Sequence, residues 1–206
     1  MAKVEPEAQP FLILASSSPR RKDLLARLGI QFRIVPAEVE EESLNGELPH
    51  EQVSRLAHAK AKEISDRFPD AWVLGADTIV VVDGRVLGKP RDREEARSML
   101  DTLAGRTHEV YTGYALMNAA AGVSLVRWVR SLVTIRSLSP DEIEGYVDTG
   151  EPMDKAGSYA VQGIGSGIVE SIGGSYTNVV GLPLCEVARD LQQLGIFDFL
   201  KPRTAQ

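Results

Sequence analysis

At 206 residues and a net charge of −6 at pH 7, the chain is long enough to bury one substantial core. Its acidic balance argues against general binding to a nucleic-acid backbone or an anionic membrane. The single cysteine, Cys185, excludes an internal disulfide framework and a cysteine-based zinc site, and sits in an apolar segment that reads as core.

No apolar run reaches membrane-spanning length, and the polar opening MAKVEPEAQP does not read as a secretory signal, so a cytoplasmic protein is expected. Met1 to Gln9 reads as a disordered lead-in. Phe11 to Ala15 is continuously apolar, as a short central strand would be. It runs into Ser16-Ser17-Ser18-Pro19-Arg20-Arg21, after which Leu24, Leu25 and Leu28 take up helical spacing as far as Gly29. Ser18 suits the N-cap and Pro19 the first helical position. Free backbone N–H groups, the positive end of the helix dipole, serine hydroxyls and two guanidinium groups therefore coincide, and together they favour a phosphate. The alternative is a well-capped helix with solvated arginines. Gln31 to Val35 reads as a second strand. The acidic run Glu38 to Glu42 follows as a loop, one carboxylate of which could face a cleft.

A helix is expected from about His50 to Phe68. Val53, Leu56, Ala57, Lys60 and Ile64 share its inward stripe, with Lys60 near the centre, while Arg55 and Lys62 point away. A lysine there either snorkels out along its own methylenes or reaches a buried acid or bound phosphate. The stretch Trp72 to Pro90 supplies such an acid. Val73, Leu74 and Ile79 to Val82 read as a buried strand, and Asp83-Gly84 as the turn into Val86-Leu87. Alternation places Asp77 on the face of Val73, Ile79 and Val81, where an unpaired charge would cost several kcal/mol. Gly75 lets another group approach the backbone closely. Gly88-Lys89-Pro90 presents a second lysine.

Asp92 caps a helix carrying Ala96, Met99, Leu100 and Leu103. Val110 to Met117 and Val123 to Ile135 read as two long strands, and Ser139-Pro140-Asp141-Glu142 as a capping box. Gly150 to Gly174 packs glycines around Asp154, Lys155 and Gln162; such a loop lets a ligand approach the backbone or acts as a lid. Its Gly163-Ile164-Gly165-Ser166-Gly167 does not have the dinucleotide-binding spacing. A last helix carries Leu184, Val187, Ala188, Leu191 and Leu194, and KPRTAQ reads as a loose tail. No repeat or long linker divides the chain, so residues 1–206 form one domain.

In this order, SSSPRR after a strand, Glu41 closing VEE, RLAHAK, GADT, GKP, the DKAG and QG loop, and NVVGLP resemble the Maf family of nucleoside triphosphate pyrophosphatases. The resemblance covers residues 11 to 197. It implies an α/β fold shared with the inosine triphosphate pyrophosphatases, with a long mixed sheet and two lobes around a central cleft. It implies cleavage of a nucleoside triphosphate between its α- and β-phosphates, with a divalent cation, Mg2+ or Mn2+, as cofactor. By position, Asp77 matches the family's proton acceptor; Ser16, Arg20 and Arg21 its phosphate-contacting loop; Lys60 and Lys89 its two lysines; Glu41 a cleft glutamate. Asp77 and Glu41 are the implied metal ligands. Arg20, Thr78 and Gln162 fall where the branch acting on dTTP and UTP has its specificity residues, and the loop wording resembles that branch rather than the one acting on methylated GTP.

The chemistry of these residues agrees. Splitting a phosphoanhydride needs charge neutralisation, an in-line water and a base. Asp77 could be that base or a metal ligand, and a carboxylate beside two lysines suits the second job better. Two other classes compete: a division-control regulator that binds nucleotide without turnover, and an RNA-binding module. The intact carboxylate and lysine set weighs against the first, and the acidic charge without a basic–aromatic stripe against the second. The expected partner is a small nucleoside triphosphate, with no nucleic acid and no membrane; family habit suggests a homodimer.

Overall fold

A computed structural model describes residues 11–200; the lead-in Met1 to Gln9 and the tail KPRTAQ lie outside the described residues. The chain runs β1 (Leu12–Leu14), α1 (Pro19–Ala26), β2 (Phe32–Ile34), α2 (Pro49–Arg67), β3 (Trp72–Val82), β4 (Arg85–Leu87), α3 (Arg93–Leu103), β5 (Thr107–Asn118), β6 (Val123–Ile135) and α4 (Pro140–Asp148). Short 3-10 turns between Glu151 and Gly167 lead to β7 (Val169–Gly173), α5 (Tyr176–Val180) and α6 (Leu184–Gln193). The local signals act as their chemistry dictates. Ser18 caps α1, Ser139 and Glu142 form the capping box of α4, and Asp83 and Gly84 turn β3 into β4 with φ of 50° and 74°.

The sheet is mixed, as expected, with order β2-β1-β3-β5-β6-β7 and β4 beside β3. Strand β1 lies parallel to β2 and β3, and the other pairs are antiparallel. One feature of the register positions the site. Along one edge, β3 pairs with β5 almost throughout, from Val73 to Val81. Along its other edge, β1 covers only Trp72 to Leu74 and β4 only Val80 to Val82. Between them, among the described residues, no strand pairs with this edge from Gly75 to Ile79, and Asp77 and Thr78, on opposite faces, line one opening.

Helix α2 crosses one face of the sheet very closely. A Cβ on Gly75 would lie 2.4 Å from the Ala57 carbonyl oxygen, and one on Gly113 2.3 Å from that of Val53. Glycine at both places lets the helix backbone rest on the strands, which brings Lys60 over Asp77. The opposite face carries two apolar clusters. One gathers Leu14, Leu24, Leu74, Tyr114 and Leu191; the other gathers Val80, Leu100, Val110, Val133 and Tyr159. Thr78 and Thr112, paired in register, stand between the clusters, and the cleft opens there between two lobes.

Two local features differ from expectation, and a third lies in a stretch where the sequence predicts no element. Val169–Gly173 is a strand on the edge of β6, although it is short and hidden in a glycine-rich stretch. Tyr176–Val180 is a helix of only 5 residues, closed by Gly181 at φ 128°, too short to show periodicity. Cys185 is exposed rather than core, because α6 buries the stripe Val187, Ala188 and Leu191 and Cys185 falls outside it. Among the described residues no helix is long and apolar enough to cross a membrane.

Candidate active site

The buried acid and the inward lysine meet. Lys60 Nζ donates to Asp77 Oδ1 at 2.7 Å, and their side chains are 9% and 8% exposed. Lys60 also lies 2.5 Å from Glu41 Oε1, so one ammonium group bridges two carboxylates, and Glu41 is the member of the acidic run that faces the cleft. Burial pushes the Glu41 pKa up, but the hydrogen bond from Lys60 and the charges of Lys60, Lys89 and Arg21 outweigh it and hold the carboxyl below its ordinary value. Lys89 is exposed and lines the same opening without burying its charge.

The Ser16–Arg21 turn, expected from the sequence to bind an anion, lines the same cleft as this trio. Ser16 Oγ accepts the Ser18 backbone N–H at 3.2 Å, and Ser18 caps α1 by accepting from the Arg21 N–H at 3.4 Å. Arg20 reaches over the mouth to Asp154, its Nη1 lying 3.1 Å from Oδ2, and Asp154 is also held by Lys155.

Arg21, expected from the sequence to contact phosphate, braces the cleft wall. Its Nε donates to the Gly181 carbonyl at 2.8 Å, Nη1 to Ser16 Oγ at 3.3 Å and Nη2 to Thr78 Oγ1 at 3.0 Å. A guanidinium has five N–H groups, so one on each terminal nitrogen remains for a ligand. Burial lowers the Arg21 pKa while Asp77 and Glu41 raise it, and the net is downward from a value high enough that the group stays charged. Behind Arg21 runs a hydroxyl chain that sequence reasoning missed. Thr112 Oγ1 donates to the Asn178 carbonyl at 3.0 Å, so in its 2.9 Å contact with Thr78 it accepts. The Thr78 proton is thereby committed, and with one lone pair accepting from Arg21 Nη2, Thr78 keeps a single acceptor lone pair. Two strand threonines 34 residues apart carry no sequence signal for such a link.

The last wall comes from the glycine-rich segment, where Tyr159, Val161 and Gln162 face the opening beside Val80, Val110 and Val179. The cleft is thus lined by basic groups and by apolar side chains together, with Thr78 and Gln162 among its uncharged polar members. Every residue singled out from the sequence, namely Ser16, Arg20, Arg21, Glu41, Lys60, Asp77, Thr78, Lys89 and Gln162, lines this one cleft.

The donor set bears on a metal. Among the described residues no three His, Cys, Asp or Glu side chains converge as an all-protein site. Glu41 and Asp77 nonetheless supply hard carboxylate oxygens, brought together by their shared contact with Lys60. That fits a cation bound through one or two carboxylates and completed by substrate oxygens and water, the habit of Mg2+.

Comparison with known proteins gives a consistent match. The family model for "Maf-like protein" matches residues 11–194. A dTTP/UTP pyrophosphatase of Syntrophus aciditrophicus (strain SB) is 52% identical over 188 residues, 91% of this chain and 92% of that protein. Another of that name, from Symbiobacterium thermophilum, is 52% identical over 184 residues, 89% of this chain and 94% of that protein. Among solved structures, a HAM1 protein from Coxiella burnetii has a TM-score of 0.47 at 18% identity, covering 89% of this chain and 99% of that one, a likeness too slight to add to the sequence matches.

Proposed function

The chain belongs to the Maf family, and from that premise we propose that its cleft hydrolyses dTTP and UTP to the nucleoside monophosphate and pyrophosphate. The observation that carries the chemistry is the Asp77–Lys60–Glu41 trio at the β3 edge between β1 and β4, in one cleft with the Ser16–Arg21 turn. A pure binding site has no need of a buried carboxylate held beside cations, which is why the regulator reading is not favoured.

In this reading the triphosphate lies between the Ser16–Ser18 turn, with Arg20 and the two free N–H groups of Arg21, and Lys60 and Lys89. These cations offset the charge that builds on the leaving pyrophosphate. A water oxygen attacks the α-phosphorus, the bond to the α–β bridging oxygen breaks, and Asp77 accepts the water's proton. Lys60 fixes the Asp77 carboxylate, leaving Oδ2 for the water. A divalent cation bound through Glu41 and Asp77 would further neutralise phosphate charge and orient the water.

Base choice follows from the uncharged polar groups that line the cleft beside apolar side chains. Uracil and thymine share the O4 acceptor and the N3–H donor; cytosine reverses both. The Gln162 amide can match the first pattern, and Thr78 offers an acceptor to an N3–H rather than a donor to a bare N3. A site built to hydrogen-bond one edge rejects the other because its own polar groups are left unpaired. Across the eight common triphosphates at fixed Mg2+, kcat/KM for dTTP and UTP is expected well above that for dCTP, CTP and the purines, with similar rates for ribose and deoxyribose. Gln162→Ala is expected to erode the preference by about tenfold while changing the maximal rate less. A clear preference for a purine or methylated nucleotide would refute the base assignment and leave the reaction class standing.

A further inference from the structure

Gln162 begins a turn, Gly163–Gly167, whose sequence suggests a lid or a place for a ligand to meet the backbone. Its contacts give the glycines a different purpose. Tyr146, near the end of α4, donates its hydroxyl to Glu151 Oε2 at 2.7 Å and accepts the Ala160 backbone N–H at 3.1 Å. Glu151 Oε1 accepts the Ile164 N–H at 3.0 Å, and Oε2 accepts that of Gly165 at 2.8 Å. The backbone is thus held two residues before Gln162 and two and three residues after it. The glycines make room for the two side chains that hold it. A Cβ on Gly163 would lie 2.2 Å from Glu151 Oε1, and one on Gly165 2.4 Å from the Tyr146 hydroxyl oxygen.

The protonation states suit the task. Burial alone would raise the Glu151 pKa, but the Tyr146 hydroxyl and the Gly165 and Ile164 N–H groups bring it below the ordinary value, so the acceptor stays ionised. Burial and Glu151 push the Tyr146 pKa up, so its hydroxyl stays a donor. Thr149 tightens the arrangement from below: its Oγ1 accepts the Glu151 N–H at 3.1 Å and donates to the Tyr146 carbonyl at 2.6 Å.

We propose that Tyr146 and Glu151 are positioning residues for base selection: they hold the segment 160–165 so that the Gln162 amide meets the base edge in one orientation. Neither side chain lines the cleft, so they act through the backbone rather than on the nucleotide. This rests on the reading of the cleft as a nucleotide site, but not on which base it prefers.

The test uses the full chain and the same panel of eight triphosphates. Tyr146→Phe removes only a hydroxyl, and Glu151→Gln keeps the shape while placing an amide group among donors. Each is expected to flatten the wild-type base preference about fivefold or more, through KM of the preferred nucleotide, with kcat nearly unchanged. In a Gln162→Ala background, adding Tyr146→Phe is expected to change the preference no further, because there is nothing left to position. Overturning results are an unchanged preference in both single variants, or the same loss from Tyr146→Phe with and without Gln162. A uniform fall in kcat for every nucleotide, or a wild-type protein with no base preference, would equally overturn it. A wild-type preference for another base that both variants flatten would instead refute the dTTP/UTP reading and leave this inference in place.

Discussion

Asp77→Asn is expected to lower kcat by about 10^2- to 10^4-fold, the range spanned by a removed general base. The protein is expected to stay folded. The amide keeps the shape of the carboxylate and an oxygen for the 2.7 Å contact with Lys60, and Glu41, 2.5 Å from the same ammonium group, still neutralises it. Steady-state kinetics beside a thermal melt check both halves. Wild-type turnover in the variant would make Asp77 a structural residue, and the account of the cleft would fall with it.

Lys60→Met is expected to lose about a hundredfold or more in rate, as truncating a cation on a developing phosphate charge costs a few kcal/mol of transition-state stabilisation. On sequence alone such a variant would keep its stability. The pairing observed here changes that expectation. Methionine leaves the Asp77 carboxylate 8% exposed and without its partner, a situation that costs about 3–5 kcal/mol. The two charges can be separated by experiment. Adding Asp77→Asn to Lys60→Met removes the unpaired charge, so urea unfolding is expected to show stability recovered while activity stays lost. A Lys60→Met protein that unfolds and turns over like the wild type would show that the lysine is merely solvated.

The Asp77–Lys60 pair was legible because each half breaks a pattern. Asp77 is a charge among strand residues that otherwise read as buried, and Lys60 a charge within a helix's apolar stripe; each implies a partner. The anion turn was legible because strand end, serines, proline and arginines fall within a few residues. What surrounds them was not. The gap along the β3 edge depends on where β1 stops and β4 begins, which is a matter of register. Arg20 finds Asp154 across 134 residues, and Arg21 finds Gly181 across 160. Glu151 looks in sequence like any acid after a helix, yet it holds the glycine turn that a periodicity argument reads as loose.

The product of the reaction is the most direct test of the central claim. Incubating the wild-type protein with dTTP and Mg2+ and following the phosphorus species by 31P NMR is expected to show dTMP and pyrophosphate appearing in equal amounts as dTTP disappears. Accumulation of dTDP with orthophosphate would place the cleavage at the terminal phosphate and contradict the assignment, and no turnover of any triphosphate would return the cleft to a binding role.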